Sequence, residues 1–119
     1  MAMILVADDE EMILHLVSGI LKSAGHDTVE AHNGLEAVSL FRSYPKRFDL
    51  VITDLKMPTM DGFQAVKLIR ETRPAMKIIC MSGYSEAFPS DVVCLAKPFL
   101  PRNLIEAVEK TLAVQRPDG

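Results

Sequence analysis

The sequence lacks both an apolar run long enough to span a membrane and an excess of basic residues. A membrane-spanning helix needs roughly 20 consecutive apolar residues. The apolar start, residues 1–6, is also too short for a signal peptide. The net charge of −3 gives no electrostatic reason for direct binding to nucleic acid or to a membrane surface. We therefore expect a cytoplasmic protein with no membrane segment and no nucleic-acid site.

Cysteine is also scarce, because only Cys80 and Cys94 are present, each in a short apolar run. Free cysteine behaves as a small buried hydrophobe, so we predict that both are reduced thiols in the core. A zinc site would need further ligands close to them in the sequence, and none is found there.

What the sequence does contain is the composition of a globular domain. Hydrophobic residues make up 49% of it and charged residues 24%, and its 119 residues are close to the commonest domain size. We predict one domain over residues 1–115. Residues 116–119 are polar with proline and glycine, so we expect a flexible tail there.

Short apolar runs alternate with amphipathic segments along the chain. The runs have the length of strands and cover residues 3–7, 28–31, 48–53, 77–81 and 92–96. The third and fourth read as continuous apolar runs, as expected of strands that are covered on both faces. Strands alternating with helices predict an α/β fold with a doubly wound parallel sheet.

Apolar residues at helical spacing predict four helices between and after these strands. In the first helix, which Gly25 ends, they are Ile13, Leu16, Val17, Ile20 and Ala24. The second begins with a capping-box-like pair and ends at Pro45, and its inward residues are Gly34, Ala37, Val38 and Phe41. The third runs from Asp61-Gly62 to before Pro74, and the last begins at Pro101 after Leu100, which is a poor capping residue.

Polar residues follow four of the five predicted strands. They are Asp8-Asp9-Glu10 after the first, Thr53-Asp54 after the third, Ser82-Gly83 after the fourth and Lys97-Pro98 after the fifth. In open α/β sheets, ligands bind outside the carboxyl ends of the strands, so these groups are expected to converge. Taken singly, each group has an ordinary structural explanation: Asp8-Asp9 as a turn or helix cap, Asp54 as a loop carboxylate, Ser82-Gly83 as a turn and Lys97-Pro98 as a solvated lysine before a helix. Their joint placement predicts a functional site.

The chemistry of this predicted site is that of phosphoryl transfer. Three aspartates within a few ångströms repel one another and need a cation, and Mg²⁺ binds one or two carboxylates together with phosphate oxygens. A carboxylate nucleophile, a metal ion and a lysine are the groups that phosphoryl transfer requires.

With these motifs, the sequence resembles the receiver domain of bacterial two-component response regulators over almost its whole length. The matching segments are residues 4–10, 49–58, 60–62, 81–84 and 95–99, which read ILVADDE, DLVITDLKMP, MDG, MSGY and LAKPF. The resemblance implies a strand order of 2-1-3-4-5 and a switching domain that is not an enzyme beyond its own phosphorylation and dephosphorylation. The donor would be a phosphohistidine on a sensor histidine kinase or a phosphotransfer protein, and the downstream protein target is unknown.

The resemblance also implies a role for each matching residue. Asp54 would be the phosphorylated residue. Asp9 would bind Mg²⁺ directly and Asp8 largely through water, and Asp54 and the backbone carbonyl of Lys56 would complete the protein ligands. Ser82 would bind the phosphoryl group and drive the switch, and Lys97 would pair with a phosphoryl oxygen.

The sequence departs from the family pattern after the fourth strand. Only nine residues, 83–91, are left for a crossover that usually needs at least about 10–12, and they include a proline. We therefore predict that the fourth helix of the family is missing or reduced. Cys94 stands where the family has a switch aromatic, and Tyr84 is the nearest aromatic that could gate Asp54.

Two other functions are open to such a chain. One is a magnesium phosphohydrolase with an aspartyl-phosphate intermediate, but Lys56 stands where such enzymes carry a second aspartate. The other is a degenerate receiver that binds partners without phosphorylation, against which the full set of site residues argues. We expect no output domain within 119 residues, so the chain is either a stand-alone regulator or a receiver from a hybrid histidine kinase.

Overall fold

The computed structural model describes residues 2–83 and 92–114. Strands and helices alternate along these ranges as the sequence predicts. In chain order they are β1 (Met3–Ala7), α1 (Glu11–Ser23), β2 (Asp27–Ala31), α2 (Gly34–Ser43), β3 (Leu50–Asp54), α3 (Gly62–Thr72), β4 (Ile78–Ser82), β5 (Val93–Ala96) and α4 (Pro101–Ala113). The predicted strand and helix positions are confirmed to within two residues at most ends.

The five strands form one parallel sheet in the order β2-β1-β3-β4-β5, which confirms the predicted fold class and strand order. Leu5 lies opposite Val51 in the central pair of strands, and Asp54 lies opposite Met81 in the next pair. Because all the strands run the same way, their carboxyl ends meet at one edge of the sheet. That edge holds the polar residues singled out in the sequence.

Helices cover both faces of the sheet. On one face, α1 and α4 bury Leu14, Leu21, Leu104 and Val108 against side chains of β1, β3 and β4. On the other face, the apolar sides of α2 and α3 pack against the sheet. The four inward residues predicted for α2 are all buried. All five residues of β3 and of β4 are buried, which confirms that these runs are covered on both sides.

The apolar residues singled out for α1 face the core only in part: Val17 is buried, and Ile13 and Ile20 pack against the core. Leu16 is 54% exposed, and the fully buried positions are Leu14, Val17, Ser18 and Leu21. These positions have the spacing of one helix face. Ser18 is a small polar residue on this buried face, so the apolar pattern of the sequence did not include it.

The prediction that both cysteines are buried was right for Cys80 and wrong for Cys94, which is exposed. Both are free thiols, as predicted. Cys80 belongs to β4, inside the sheet, whereas Cys94 belongs to β5 at the edge of the sheet, where a strand has a neighbour on one side only. An apolar run in the sequence does not distinguish an edge strand from a central one.

The described residues hold no helix between β4 and β5. The segment on which the prediction of a missing or reduced fourth helix falls, residues 84–91, lies outside the described residues, and Tyr84 and the tail at 116–119 lie outside them as well. Within the described ranges, no helix combines the length and the apolar character that a membrane span requires.

The helix ends follow the predicted capping chemistry. The Asn33 side chain accepts a hydrogen bond from the Glu36 amide at 2.8 Å, and Asp61 and Gln64 cap α3 reciprocally. Leu100 offers no capping side chain to α4, as expected, although its own amide donates to Asn103 Oδ1 at 2.9 Å. The cap at Asp61 fixes the start of α3 beside the carboxyl end of β3.

Candidate functional site

The structure brings the three predicted aspartates together at the carboxyl edge of the sheet. Asp8 and Asp9 follow β1, and Asp54 is the last residue of β3. Each offers one carboxylate oxygen, and these oxygens all lie within 4.8 Å of one another. Asp8 and Asp54 are buried and Asp9 is exposed, so the cluster opens to solvent on the side of Asp9.

Lys97 reaches into this cluster from the end of β5. Its Nζ lies 3.0 Å from Asp8 Oδ2 and 3.2 Å from Asp54 Oδ2, so one ammonium bridges both buried carboxylates. Burial alone would lower the pKa of Lys97, but the hydrogen bond to Asp8 and the charges of Asp54 and Asp8 raise it. Lys97 is therefore a permanent positive charge in the site at neutral pH.

The surroundings of Asp54 disfavour the ionised form of its carboxyl group, even though Lys97 is close to it. Burial raises the pKa of its carboxyl group, and the charge of Asp8 raises it further. The charge and hydrogen bond of Lys97 act in the opposite direction, but the net shift is upward. A further cation in the cluster would favour the ionised form of Asp54.

The cluster has the donor set of a hard divalent ion. Three carboxylate oxygens at this mutual distance suit Mg²⁺ or Ca²⁺, which bind oxygen ligands. Cysteine and histidine are absent from the group, so a zinc site is not indicated among the described residues. An acidic triad of this kind is typical of the magnesium site of receiver domains.

Backbone groups hold the carboxylates in place. The Glu10 amide donates to Asp8 Oδ1 at 2.9 Å, and the Thr53 hydroxyl donates to the Asp54 carbonyl oxygen at 2.9 Å. The Lys56 amide approaches Asp54 Oδ1 at 3.5 Å, a long contact. The Glu10 and Lys56 amides thus orient the two carboxylates, whereas the Thr53 hydroxyl holds the backbone of Asp54.

A cavity of about 380 Å³ opens above the carboxylates. Ser82, the last residue of β4, is buried beside it, and the Ser82 carbonyl accepts a hydrogen bond from the Lys97 amide at 2.7 Å. The cavity has room for a phosphoryl group next to the Asp54 carboxylate. The residues that line it are Asp9, Glu10, Asp54, Lys56, Ser82, Gly83 and Lys97.

Gly62 packs closely against the backbone of Asp54 and Leu55. It was not predicted as a site residue from the sequence. A Cβ at this position would lie 2.8 Å from the Cα of Leu55 and closer still to the Asp54 carbonyl oxygen. The Gly62 amide also donates to the Leu55 carbonyl at 2.9 Å. A glycine after a capping aspartate is a common helix start, so this close approach is not visible in the sequence.

Some predicted roles remain predictions. Lys56 lines the cavity, but the role of its carbonyl as a metal ligand is untested. Tyr84 lies outside the described residues. Cys94 lies three residues before Lys97 in β5, and its side chain is exposed rather than packed under the site.

A doubly wound parallel sheet with an acidic cluster and a lysine at its carboxyl edge defines a class of phosphoacceptor signalling domains. The family model described as "Response regulator receiver domain" matches residues 4–109. The chain therefore belongs to the receiver domain family. Phosphoacceptor signalling is what this family implies, and a receiver is not an enzyme beyond the chemistry of its own phosphorylation.

Relatives of the chain include both isolated receivers and segments of larger kinases. It is 31% identical to the response regulator receiver protein CpdR of Brucella abortus, covering 94% of this chain and 98% of CpdR. It is 34% identical to the sensor kinase CckA of the same organism, covering 96% of this chain but 13% of CckA. A receiver protein structure from Sinorhizobium medicae superposes with a TM-score of 0.89 at 30% identity, covering 97% of each chain.

Proposed function

We propose that Asp54 accepts a phosphoryl group from the phosphohistidine of a sensor histidine kinase or phosphotransfer protein, in a Mg²⁺-dependent reaction. The supporting observation is the bridge from Lys97 to Asp8 and Asp54 beside a third carboxylate, at the floor of an open cavity. Receiver domains work with such donors. The proposal names the kinds of partner, a phosphohistidine donor and a downstream protein target, and no individual protein.

In the proposed reaction, a carboxylate oxygen of Asp54 attacks phosphorus in line with the bond to the donor imidazole. The new O–P bond forms as the N–P bond breaks, and the imidazole leaves with the electron pair. Lys97 is 3.2 Å from Asp54 Oδ2, within reach of an oxygen of the transferred group. The Lys97 ammonium, which now contacts Asp8 and Asp54, would then contact a phosphoryl oxygen.

Asp8, Asp9, Asp54 and the Lys56 carbonyl would hold Mg²⁺. When bound, the ion offsets the negative charge that builds up on the phosphoryl oxygens during transfer. The raised pKa of Asp54 supports this assignment, since a cation in the cluster would favour the ionised, nucleophilic carboxylate.

Ser82 would transmit the reaction to the rest of the domain. It is buried at the end of β4, beside the cavity, and its carbonyl accepts the Lys97 amide. A hydrogen bond from its hydroxyl to the phosphoryl group would shift an existing equilibrium toward a conformation that a downstream protein recognises. We expect Tyr84 and Cys94 to modify this switch. We also propose that the protein acts in the cytoplasm.

The test is labelling by acetyl phosphate and by a phosphorylated histidine kinase, with and without Mg²⁺. Asp54→Ala should abolish labelling, because no other carboxylate takes its position at the cavity floor. Asp27→Ala is the matched control, because Asp27 is exposed at the amino end of β2, away from the carboxyl edge that holds the site. This variant should be labelled like the wild type. Full stoichiometric labelling of Asp54→Ala at another residue would show that the proposal is wrong.

A further inference from the structure

The two cysteines lie side by side in the sheet, a relation that the sequence does not reveal. Cys80 and Cys94 are register partners in the parallel pair of β4 and β5. Register partners in a parallel pair point to the same side of the sheet, here the side that α2 and α3 cover. Their Cα atoms are then about 4.8 Å apart, inside the range of about 4.4–6.8 Å found for disulfides.

The two thiols differ in burial. Cys94 is exposed, whereas Cys80 is 2% exposed and packs in the core. Burial and the neighbouring Cys94 thiol together raise the pKa of Cys80 to about 12.

We propose that Cys80 and Cys94 form a reversible intramolecular disulfide when the protein meets a hydroperoxide. Cys94 is accessible, so its sulfur meets the oxidant first, and Cys80 is the adjacent thiol that resolves the product. The site depends on β4–β5 pairing and not on phosphorylation at Asp54.

The chemistry is balanced in two steps. The Cys94 sulfur attacks one oxygen of hydrogen peroxide, so that the S–O bond forms, the O–O bond breaks, and the leaving hydroxide takes the thiol proton as water, giving a sulfenic acid. The Cys80 sulfur then attacks the Cys94 sulfur, so that the S–S bond forms, the S–O bond breaks, and the hydroxyl leaves as water with the Cys80 proton. Two thiols are oxidised, and hydrogen peroxide is reduced to two waters.

The position of β5 allows the small movement that bonding requires. Cβ atoms joined by a disulfide are about 3.5–4.5 Å apart, slightly less than the spacing of strands, so β5 must lean toward β4. β5 lies at the edge of the sheet and can make this movement without displacing a second strand. A bond made under such strain is readily reduced, which suits a reversible modification.

The bond would join the two strands whose ends line the cavity at Asp54. Cys80 is two residues before Ser82 in β4, and Cys94 is three residues before Lys97. The Lys97 amide already donates to the Ser82 carbonyl at 2.7 Å. A disulfide would thus add a covalent tie to the two strands whose ends carry these side chains.

The experiment is treatment of the folded, reduced protein with hydrogen peroxide, followed by mass spectrometry without reductant. The protein should lose two hydrogens and remain monomeric. Glu86 is located between the cysteines in the sequence, so cleavage after it should leave the two fragments joined until a thiol reductant is added. The reductant should restore the original mass.

Cys94→Ser is the control, because its exposed position leaves folding intact, and it should give no joined fragments. A covalent dimer of the wild type through Cys94 would overturn the proposal. So would stable addition of oxygen to Cys94 with Cys80 still reduced, because the neighbouring thiol would then have failed to resolve the sulfenic acid.

Discussion

Replacing Gly62 by alanine should damage both the stability and the acceptor site of the domain. The added Cβ would lie 2.8 Å from the Leu55 Cα, and real Cβ atoms essentially never come within 3.0 Å of such neighbours. Its closest neighbour is the carbonyl oxygen of Asp54. All the crowded atoms belong to backbone, so either the start of α3 or the end of β3 must move.

The magnitude follows from two opposing terms. Overpacking of this kind costs about 1–3 kcal/mol. Alanine in a helix gains about 0.5–1 kcal/mol over glycine, which offsets part of that cost. The difference is about 0–2.5 kcal/mol, and because Gly62 is the first residue of α3 and its crowded neighbours are backbone atoms, we expect a loss of about 1–2 kcal/mol in the free energy of unfolding. For a small domain this moves the urea midpoint down by roughly 0.5–1 M.

Gly19→Ala is the matched control for this substitution. Gly19 lies within α1, and a Cβ added there would meet no atom within 4 Å. The same chemical change should therefore raise the free energy of unfolding by about 0.5–1 kcal/mol. If the free energy of unfolding falls in Gly62→Ala and rises in Gly19→Ala, the effect at Gly62 comes from its contacts and not from the loss of glycine.

Labelling by acetyl phosphate should distinguish these variants as well. Displacement of the Asp54 backbone by a few tenths of an ångström moves the nucleophile relative to Lys97, and small misplacements cost up to about 10²-fold in rate. Gly62→Ala should be labelled at least several-fold more slowly, and Gly19→Ala at the wild-type rate. A Gly62→Ala variant as stable and as reactive as the wild type would refute the argument from close packing.

Three further substitutions test the electrostatics and the helix ends. Burial and Asp8 raise the pKa of Asp54 in the folded protein above its unfolded value, so the stability that Asp54 contributes is present below the unfolded pKa and is lost as pH rises through the folded pKa. In Mg²⁺-free buffer, Asp54→Asn should therefore have a higher urea midpoint than the wild type at about pH 7 and an equal one in acid, and a lower midpoint at neutral pH would contradict the assignment. Asn33→Ala removes the acceptor of the Glu36 amide at the start of α2 and should cost about 0.5–2 kcal/mol in urea unfolding. Leu100→Ala, at a helix start with no capping side chain, should lose less, and equal losses would show that the Asn33 cap is not the cause.

The sequence predicted the fold and the polar site because both depend on local patterns. Each strand is a short apolar run, and each candidate residue directly follows such a run, so the parallel topology alone places Asp8, Asp54, Ser82 and Lys97 at one edge. Helix caps such as Asn33 are likewise encoded within a few residues. These features require no knowledge of how distant segments pack.

The features that the sequence did not predict depend on packing between segments. In α1, the exposed Leu16 was grouped with the core-facing residues and the buried Ser18 was not, because Ser18 is polar. Cys94 was expected in the core because an apolar run does not reveal the edge of a sheet. Gly62 was overlooked because its contact with the Asp54 carbonyl joins a helix start to a strand end eight residues earlier.

Stability and function oppose each other at Asp54. A carboxylate that is buried, next to Asp8, destabilises the ionised folded state, and Lys97 compensates for this only in part. A cation that binds the folded cluster and not the unfolded chain stabilises the fold by mass action. The same electrostatic deficit favours the binding of a divalent cation, which would keep Asp54 ionised for its proposed role as phosphoryl acceptor. Replacement of Asp54 by a neutral side chain would relieve the deficit and remove the proposed acceptor.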